Sequence, residues 1–416
     1  MPFVTEKIFE SALGVTTPWF IAGMGFDEQQ RKLSIRVDFE VGSRFAVPDQ
    51  SGEHPVHDIA TKTYRHRNFF QYQCDLEVRV PRVKLPDGKV VQISRPWARK
   101  LCGFSLLFEA FALLLSRQIP FSGVSRITGE SIHRVMAVCQ RYVGATVAAT
   151  DLSELHQLAI DETSRAKGQE YVSPFAEADQ HPERRRVLFV AKGRGAETVG
   201  AFTQNLRAHH GKPSEIASIS IDMSSAFIKG VQEHFPDAQI TFDKFHVIAH
   251  ASSAIDATRR LEQKLGPGLK GMRWALKRLD RSFSSAQRAA LDESLVRFTN
   301  SRTTHAWQYR EQLRDILVRK QPNVVRHLLR QWCTNVMRSK VEPMKEVSAM
   351  TRKHFEGILA WVDTRQNNGF LKAINGLFQA AKRKACRYRR FRTIRTVVFF
   401  IAGKLDFSRT KPYVTA

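Results

Sequence analysis

Acidic residues are scarce in this sequence: 40 Asp and Glu stand against 65 Lys and Arg, a formal net charge of +25. That imbalance excludes an acidic solvating chain and points to a partner of high negative charge, nucleic acid first and an anionic membrane second. Long apolar runs are missing too. The longest, Phe104 to Leu115, is interrupted by Glu109 and is too short to cross a bilayer. With no visible signal peptide, the expectation is a cytoplasmic protein without a membrane partner. Cysteine is sparse: Cys74, Cys102, Cys139, Cys333 and Cys386 lie far apart, with no CxxC or His-Cys cluster. This spacing excludes a disulfide framework, gives no structural zinc, and fits a reducing compartment.

What is present is a globular chain, 43% apolar over 416 residues. That length allows two to three domains at about 150 residues each, with a sizeable core. The stretch Ala217 to His250 organises the rest. Ile219 and Ile221 alternate with Ser218, Ser220 and Asp222, a period-2 strand that ends on its acid. Phe227, Ile228, Val231 and Phe235 follow at helical spacing. Pro236-Asp237 breaks that helix, and a second strand, Gln239 to Phe242, ends at Asp243. Upstream, Gln157 to Asp161 is another strand ending in an acid. Glu162 to Gly168 reads as a turn, Arg186 to Ala191 as a strand, and Glu197 to Leu206 as a helix. A mixed sheet with acids on its first and fourth strands is a ribonuclease-H-like arrangement, and ligands meet such sheets at the carboxyl ends of the strands.

Toward the N-terminus the pattern gives short strands at Leu33 to Phe39, Tyr72 to Val80 and Val90 to Ile93. Val47 to Thr63, with His54 and His57, reads as a loop. From Phe104 the period becomes 3.6, with Phe104, Leu107, Phe108, Phe111 and Leu115 on one face and Pro120 ending the helix. Val124 to Thr128, the turn at Gly129-Glu130 and a helix opened by Ser131 then form a helix-turn-helix pattern. His133, Arg134 and Arg141 fall on the second helix, the one that enters the major groove in such modules. Core packing of a plain helical hairpin is the alternative reading of the same residues.

After Phe245 the pattern is helical to about Arg365, with apolar stripes at Trp307, Leu313, Ile316, Leu317 and at Val325, Leu328, Leu329, Trp332, read as core with solvated basic faces. The last informative helix spans Gln366 to Ala385. Leu371, Ile374, Phe378 and Ala381 line its apolar face; Asn368, Lys372, Asn375 and Gln379 line a polar one. Lys382, Arg383, Lys384, Arg387, Arg389, Arg390 and Arg392 follow it, a run suited to phosphate contact or, alternatively, a solvated tail.

Asp161 and Asp222 are by themselves a common feature, since many strands end in Asp. The wording around them is specific. The segments AIDETSRAKGQEYVS (159–173), IDMSSAFIKGVQEHFPDAQITFDKFHVIAH (221–250), QWCTNVMRSKVEPMKE (331–346), NGFLKAINGLFQAAKRKA (368–385) and IAGKLDF (401–407) resemble, in order, the transposases of the ISL3 insertion-sequence family. The resemblance spans nearly the whole chain. It implies an α+β enzyme of the DDE type with a ribonuclease-H-like mixed-sheet core interrupted by a helical insertion. The implied layout is a small β-rich domain (1–100), a helix-turn-helix module (101–150), the first part of the core (151–250), the insertion (251–365), and the last core helix with a basic segment (366–416).

It also implies catalytic, metal-binding Asp161 and Asp222, a Mg²⁺ or Mn²⁺ cofactor, and double-stranded DNA as partner, both the element's terminal inverted repeats and target DNA. A homo-oligomer on DNA and association with the bacterial nucleoid follow from the same resemblance. Two departures stand out. Many relatives carry CPxC pairs where this chain has VPDQ (Val47 to Gln50) and LPDG (Leu85 to Gly88), so their zinc ribbon is chemically impossible here. The family's third acid, the Glu of NGxxEAxN, is Lys372. A lysine has no acceptor atom and cannot ligate a metal; its ammonium is instead placed to pair with the two aspartates. The expectation is therefore a transposase by descent with impaired catalysis, and the alternative is a non-catalytic, sequence-specific DNA-binding protein derived from one.

Overall fold

A computed structural model describes residues 4–48, 50–99, 102–166, 170–179, 181–264, 301–364, 369–385, 388 and 390–407. The chain divides into two compact units, residues 1–148 with 380–416, and residues 149–379. Among the described residues no helix is long and apolar enough to cross a membrane.

The first unit opens with helix α1 (Val4–Leu13) and a six-stranded sheet: β1 (Trp19–Asp27), β2 (Lys32–Phe39), β3 (Arg44–Ala46), β4 (Glu53–Phe69), β5 (Tyr72–Lys84) and β6 (Val90–Gln92). The strand order is β1-β2-β5-β4-β3, with β6 on β5. Strict alternation explains β2, which buries Leu33, Ile35, Val37 and Phe39; β5 buries Cys74, Leu76, Val78 and Val80 at the same spacing, with Asp75 buried too and paired with Lys32 at 3.0 Å. The expected loop at 47–63 is mostly strand: β4 begins at Glu53 and carries both His54 and His57. Its period-2 signal is hidden because polar Asp58 and Lys62 face the half-buried side while Ile59 faces outward. Long backbone pairing with β5, Val56 to Phe69 against Val83 to Tyr72, holds it instead. Val47 and Leu85, the first residues of the VPDQ and LPDG segments that follow β3 and β5, are buried in one core with Trp19, Phe39 and Trp97. Apolar packing thus occupies the positions where a metal ligand would begin.

Helices α2 (Leu106–Gln118), α3 (Phe121–Thr128) and α4 (Ile132–Ala148) follow. Ser105 caps α2 by accepting from Phe108 N. Gly129, at φ +72°, ends α3 in the left-handed conformation that a residue without Cβ adopts at no steric cost. The buried face of α2 is Phe108, Glu109, Ala112 and Leu113, so Leu107, Phe111 and Leu115 of the expected stripe are only half-buried. The cause is Glu109, wholly buried and drawn in by polar partners: Tyr142 Oη donates to it at 2.6 Å, Cys102 Sγ at 2.8 Å, and Arg141 pairs with it. A last helix, Phe391–Ala402, completes this unit.

His66, on β4, lies against buried Ser105, with Nδ1 2.7 Å from its Oγ. Burial, with the Arg67 and Arg65 guanidiniums adding to it, pushes its pKa down to about 4. Between about pH 6.5 and 4 the unfolded chain therefore binds a proton that the folded one does not, and stability falls as pH falls. The loss expected from this one group is about 3 kcal/mol by pH 4. Urea melts of the parent and of His66→Asn should diverge above pH 6.5 by the lost contact alone and converge as the pH is lowered; parallel profiles would contradict the assignment.

The second unit holds the other sheet: β7 (Gln157–Ile160), β8 (Thr163–Ala166), β9 (Glu170–Glu177), β10 (Val187–Lys192), β11 (Ser218–Ile221) and β12 (Gln239–Phe242). Its order is β10-β9-β7-β11-β12, with β8 beside β9 where a plain turn was expected. β9 is antiparallel to both β10 and β7; β7, β11 and β12 are mutually parallel. Helices α5 (Ala196–Ala208) and α6 (Ser225–His234) pack together and bury Val199, Phe202, Phe227 and Val231. Described residues beyond Phe245 are helical: α7 (Lys244–Gln263), α8 (Arg302–Val318), α9 (Pro322–Met337), α10 (Glu342–Lys353), α11 (Phe355–Thr364) and α12 (Gly369–Lys384). Trp332 is core, 2% exposed, its Nε1 donating to Tyr309 O. Gly357 lets α11 approach β12, since a Cβ there would stand 2.4 Å from the Phe242 ring.

Candidate active site

Parallel strands put their carboxyl ends on one edge, and three of these end in aspartate. Asp161 follows β7, Asp222 follows β11 and Asp243 follows β12. The register pairs Ser220 with Ala159 and Ile221 with Phe242. Continued to the strand ends, it sets Asp161, Asp222 and Asp243 abreast on neighbouring strands, spaced about 4.8 Å apart per strand.

The three acids differ in surroundings. Asp161 is 6% exposed; its Oδ1 accepts from Glu162 N at 2.9 Å and its Oδ2 from Asn375 Nδ2 at 3.1 Å. Burial, with the neighbouring Asp222 charge adding to it, raises its carboxyl to about 7. Asp222 is half-buried and accepts from Ser224 N at 3.0 Å. Asp243 is fully buried, caps α7 by accepting from Phe245 N at 3.1 Å, and takes Lys372 Nζ at 2.7 Å on its Oδ2. His246, one turn into α7, is held below its usual pKa by burial first and by the Lys372 ammonium next.

The polar face of α12 closes over this edge. Lys372, Asn375 and Gln379 recur at i, i+3 and i+7, so they lie along one side of the helix. Asn375 reaches Asp161 and Glu162 O, while Gln379 reaches Thr163 Oγ1 and Ser164 O at the start of β8. Leu371, Ile374 and Phe378 are buried on the adjoining face of the helix. Asn368 lies outside the described residues. The ammonium does not pair with Asp161 or Asp222, as the sequence led one to expect; it pairs with Asp243. One helical turn separates Lys372 from Asn375, and it is the amide that falls opposite Asp161.

On the helix-turn-helix, His133 is exposed at the start of α4. Arg134 is half engaged, bonded to Glu130 at 2.7 Å with its guanidinium 4.1 Å from the Phe104 ring centroid. Arg141 is tied to buried Glu109. Of the basic run, Arg383, Lys384, Arg390 and Arg392 are exposed and Lys382 is half-buried; Arg387 and Arg389 lie outside the described residues. Sequence reasoning gave no role to Asp243 or Glu109. Their signals were an acid directly after a third strand and an acid inside an apolar stripe.

Comparison with known proteins now places the chain. A family model described as a transposase, the DDE domain of ISL3 elements, matches residues 158–398, more than half the chain. A second, described as the helix-turn-helix domain of transposase family ISL3, matches residues 94–143. The chain belongs to the ISL3 transposase family. Family membership covers both the acid-bearing sheet and the helix-turn-helix. The chain is similar to the transposase for insertion sequence element IS1001 of Bordetella parapertussis, 26% identical with 80% of this chain and 82% of that one covered. It is also similar to the transposase for element IS1557 of Mycobacterium tuberculosis, 24% identical with 92% of each covered.

Proposed function

We propose that this chain acts on the terminal inverted repeats of an insertion sequence, with Asp161 and Asp222 as the catalytic, metal-binding pair and Lys372 as the residue that impairs them. The observation that carries the reading is the register that sets the two aspartates side by side at the ends of parallel strands. An order of three antiparallel strands followed by two parallel ones supports a ribonuclease-H-like core.

The donor set fits a hard divalent cation, Mg²⁺ or Mn²⁺: the ligands are carboxylate oxygens on a rigid edge, and such ions commonly take one or two carboxylates plus substrate oxygens and water. A metal bound there supplies charge stabilisation for in-line attack on a phosphodiester. The chain's own residues do the rest. Asn375 orients the Asp161 carboxylate by donating to its Oδ2, and the Glu162 amide holds the other oxygen. Among the described residues no three His, Cys, Asp or Glu side chains group closely enough to hold a metal; the third acid of the edge, Asp243, is taken by Lys372. The basic residues in the last turn of α12 and beyond it, with His133 on α4, are assigned to DNA, with Arg134 as a weaker contributor.

The Lys372–Asp243 pair favours one second reading, a DNA-binding protein that no longer cuts. Strand cleavage separates the two. On duplex DNA carrying the element's end, with Mg²⁺ or Mn²⁺, the unaltered protein should bind and cleave poorly, whereas Lys372→Glu should gain cleavage. Robust cleavage by the unaltered protein would overturn the impairment; binding that persists in EDTA with no cleavage by either protein would establish the second reading.

A further inference from the structure

A solvent-open cleft of 1030 Å³ lies between α6, the edge strand β12 and the helices α9 to α11. Its floor is Ile228, Ile240 and Phe242; its rim carries Arg330, Arg352, Lys353 and the half-buried ring of Phe355. Among the described residues no carboxylate forms an ion pair with Arg330, Arg352 or Lys353. The one acid in the wall, Glu356, is held by both guanidinium nitrogens of Arg326 at 2.9 and 3.1 Å. Arg330 stands 5.5 Å from the Phe355 ring centroid, a guanidinium beside an aromatic face.

We infer that this cleft binds unpaired nucleotides of DNA. Three exposed cations suit successive phosphates, and a ring flanked by a guanidinium suits a stacked base, the combination by which single strands are held without sequence readout. A duplex presents no free base face to Phe355. The location agrees with the chemistry. The cleft follows β12 from Gln239 to Phe242, and Asp243 is the next residue. Three residues of strand span about 10 Å, a distance covered by a couple of nucleotides. An occupant of the cleft therefore lies within a few nucleotides of the acid edge, where a cut end would lose its pairing. The inference takes only the identity of the polymer from the reading above.

The test compares the full-length protein with Arg330→Ala/Arg352→Ala and with Phe355→Leu. The probes are a blunt duplex bearing the element's end, the same duplex with a five-nucleotide single-stranded overhang, and free deoxythymidine monophosphate. The overhang should tighten binding by the parent about ten-fold or more, and each variant should lose that increment while binding the blunt duplex unchanged. The double variant should also flatten the salt dependence for the overhang by roughly 1.4 in logarithmic slope. Lys353→Ala, at an exposed position, guards against misfolding and should lose part of the increment with an unaltered melt. No added affinity from the overhang, or an equal loss on both duplexes, overturns the cleft and leaves the transposase reading standing. Failure of the parent to bind any DNA overturns both. Tight capture of the free nucleotide without preference for the overhang makes it an effector site and overturns the inference.

Discussion

Lys372→Glu is expected to melt at lower temperature than the parent in EDTA and to recover on addition of Mn²⁺ or Mg²⁺. Asp243 is fully buried, and its ion pair with Lys372 is what the substitution removes. Breaking such a pair from one side costs about 3–5 kcal/mol; the 36% exposure of the Lys372 side chain places the loss near the lower value, and the new carboxylate adds repulsion. The same change completes a set of oxygen ligands at the edge formed by Asp161, Asp222 and Asp243. A cation that binds only the folded state at 100 times its dissociation constant returns about 2.7 kcal/mol. Lys372→Met is the control: it loses the pair but gains no ligand, so its melt should be lowered and should not respond to metal. Calorimetry of the three proteins, with and without metal, decides the matter. Equal melts for Lys372→Glu and the parent in EDTA would show that the ammonium contributes nothing at Asp243.

Arg141→Ala is expected to lose stability rather than DNA affinity. Glu109 is fully buried, and Arg141, Tyr142, Cys102 and, at 3.4 Å, Arg99 gather on its carboxylate. Removal of Arg141 leaves a buried charge partly compensated, a cost of about 3 kcal/mol. His133 is exposed with no such partner; His133→Ala should change stability by no more than about 0.5 kcal/mol. Its effect should fall on DNA, where one base contact is worth about 1–3 kcal/mol of discrimination. Replacing both charged residues, Glu109→Leu with Arg141→Leu, should recover much of what Arg141→Ala loses, because an apolar pair leaves nothing unsatisfied. Urea melts paired with titrations of element-end and unrelated duplexes read both quantities. An unchanged melt with lost binding in Arg141→Ala would return that residue to the DNA interface.

How far the sequence was legible follows from how each element is specified. Strands β7, β11 and β12 announce themselves because β-rich runs end abruptly in Asp, and after β11 and β12 a helix follows. The pleat alone then fixes which residues share an edge. The polar face of α12 was likewise readable from 3.6-residue spacing, and three of its members do contact the edge residues. Strand β4 was hidden because its stability lies in pairing with β5, a long-range property that local composition does not carry. Partner choice was hidden for a different reason. Whether Lys372 meets Asp243 or Asp161 depends on a helix position differing by a single turn, and whether Arg141 faces DNA or Glu109 depends on a carboxylate 32 residues away in sequence.

Iron-directed backbone cleavage tests the central claim most directly, because it reports where a divalent cation sits without requiring turnover. With Fe²⁺, ascorbate and peroxide, the Lys372→Glu protein should be cut beside Asp161 and beside Asp222, Mg²⁺ should compete, and Asp222→Asn in the same background should abolish both cuts. Cuts elsewhere in the chain, or cuts at these positions that survive Asp222→Asn, would contradict the assignment of the two strand-end aspartates as the metal-binding pair.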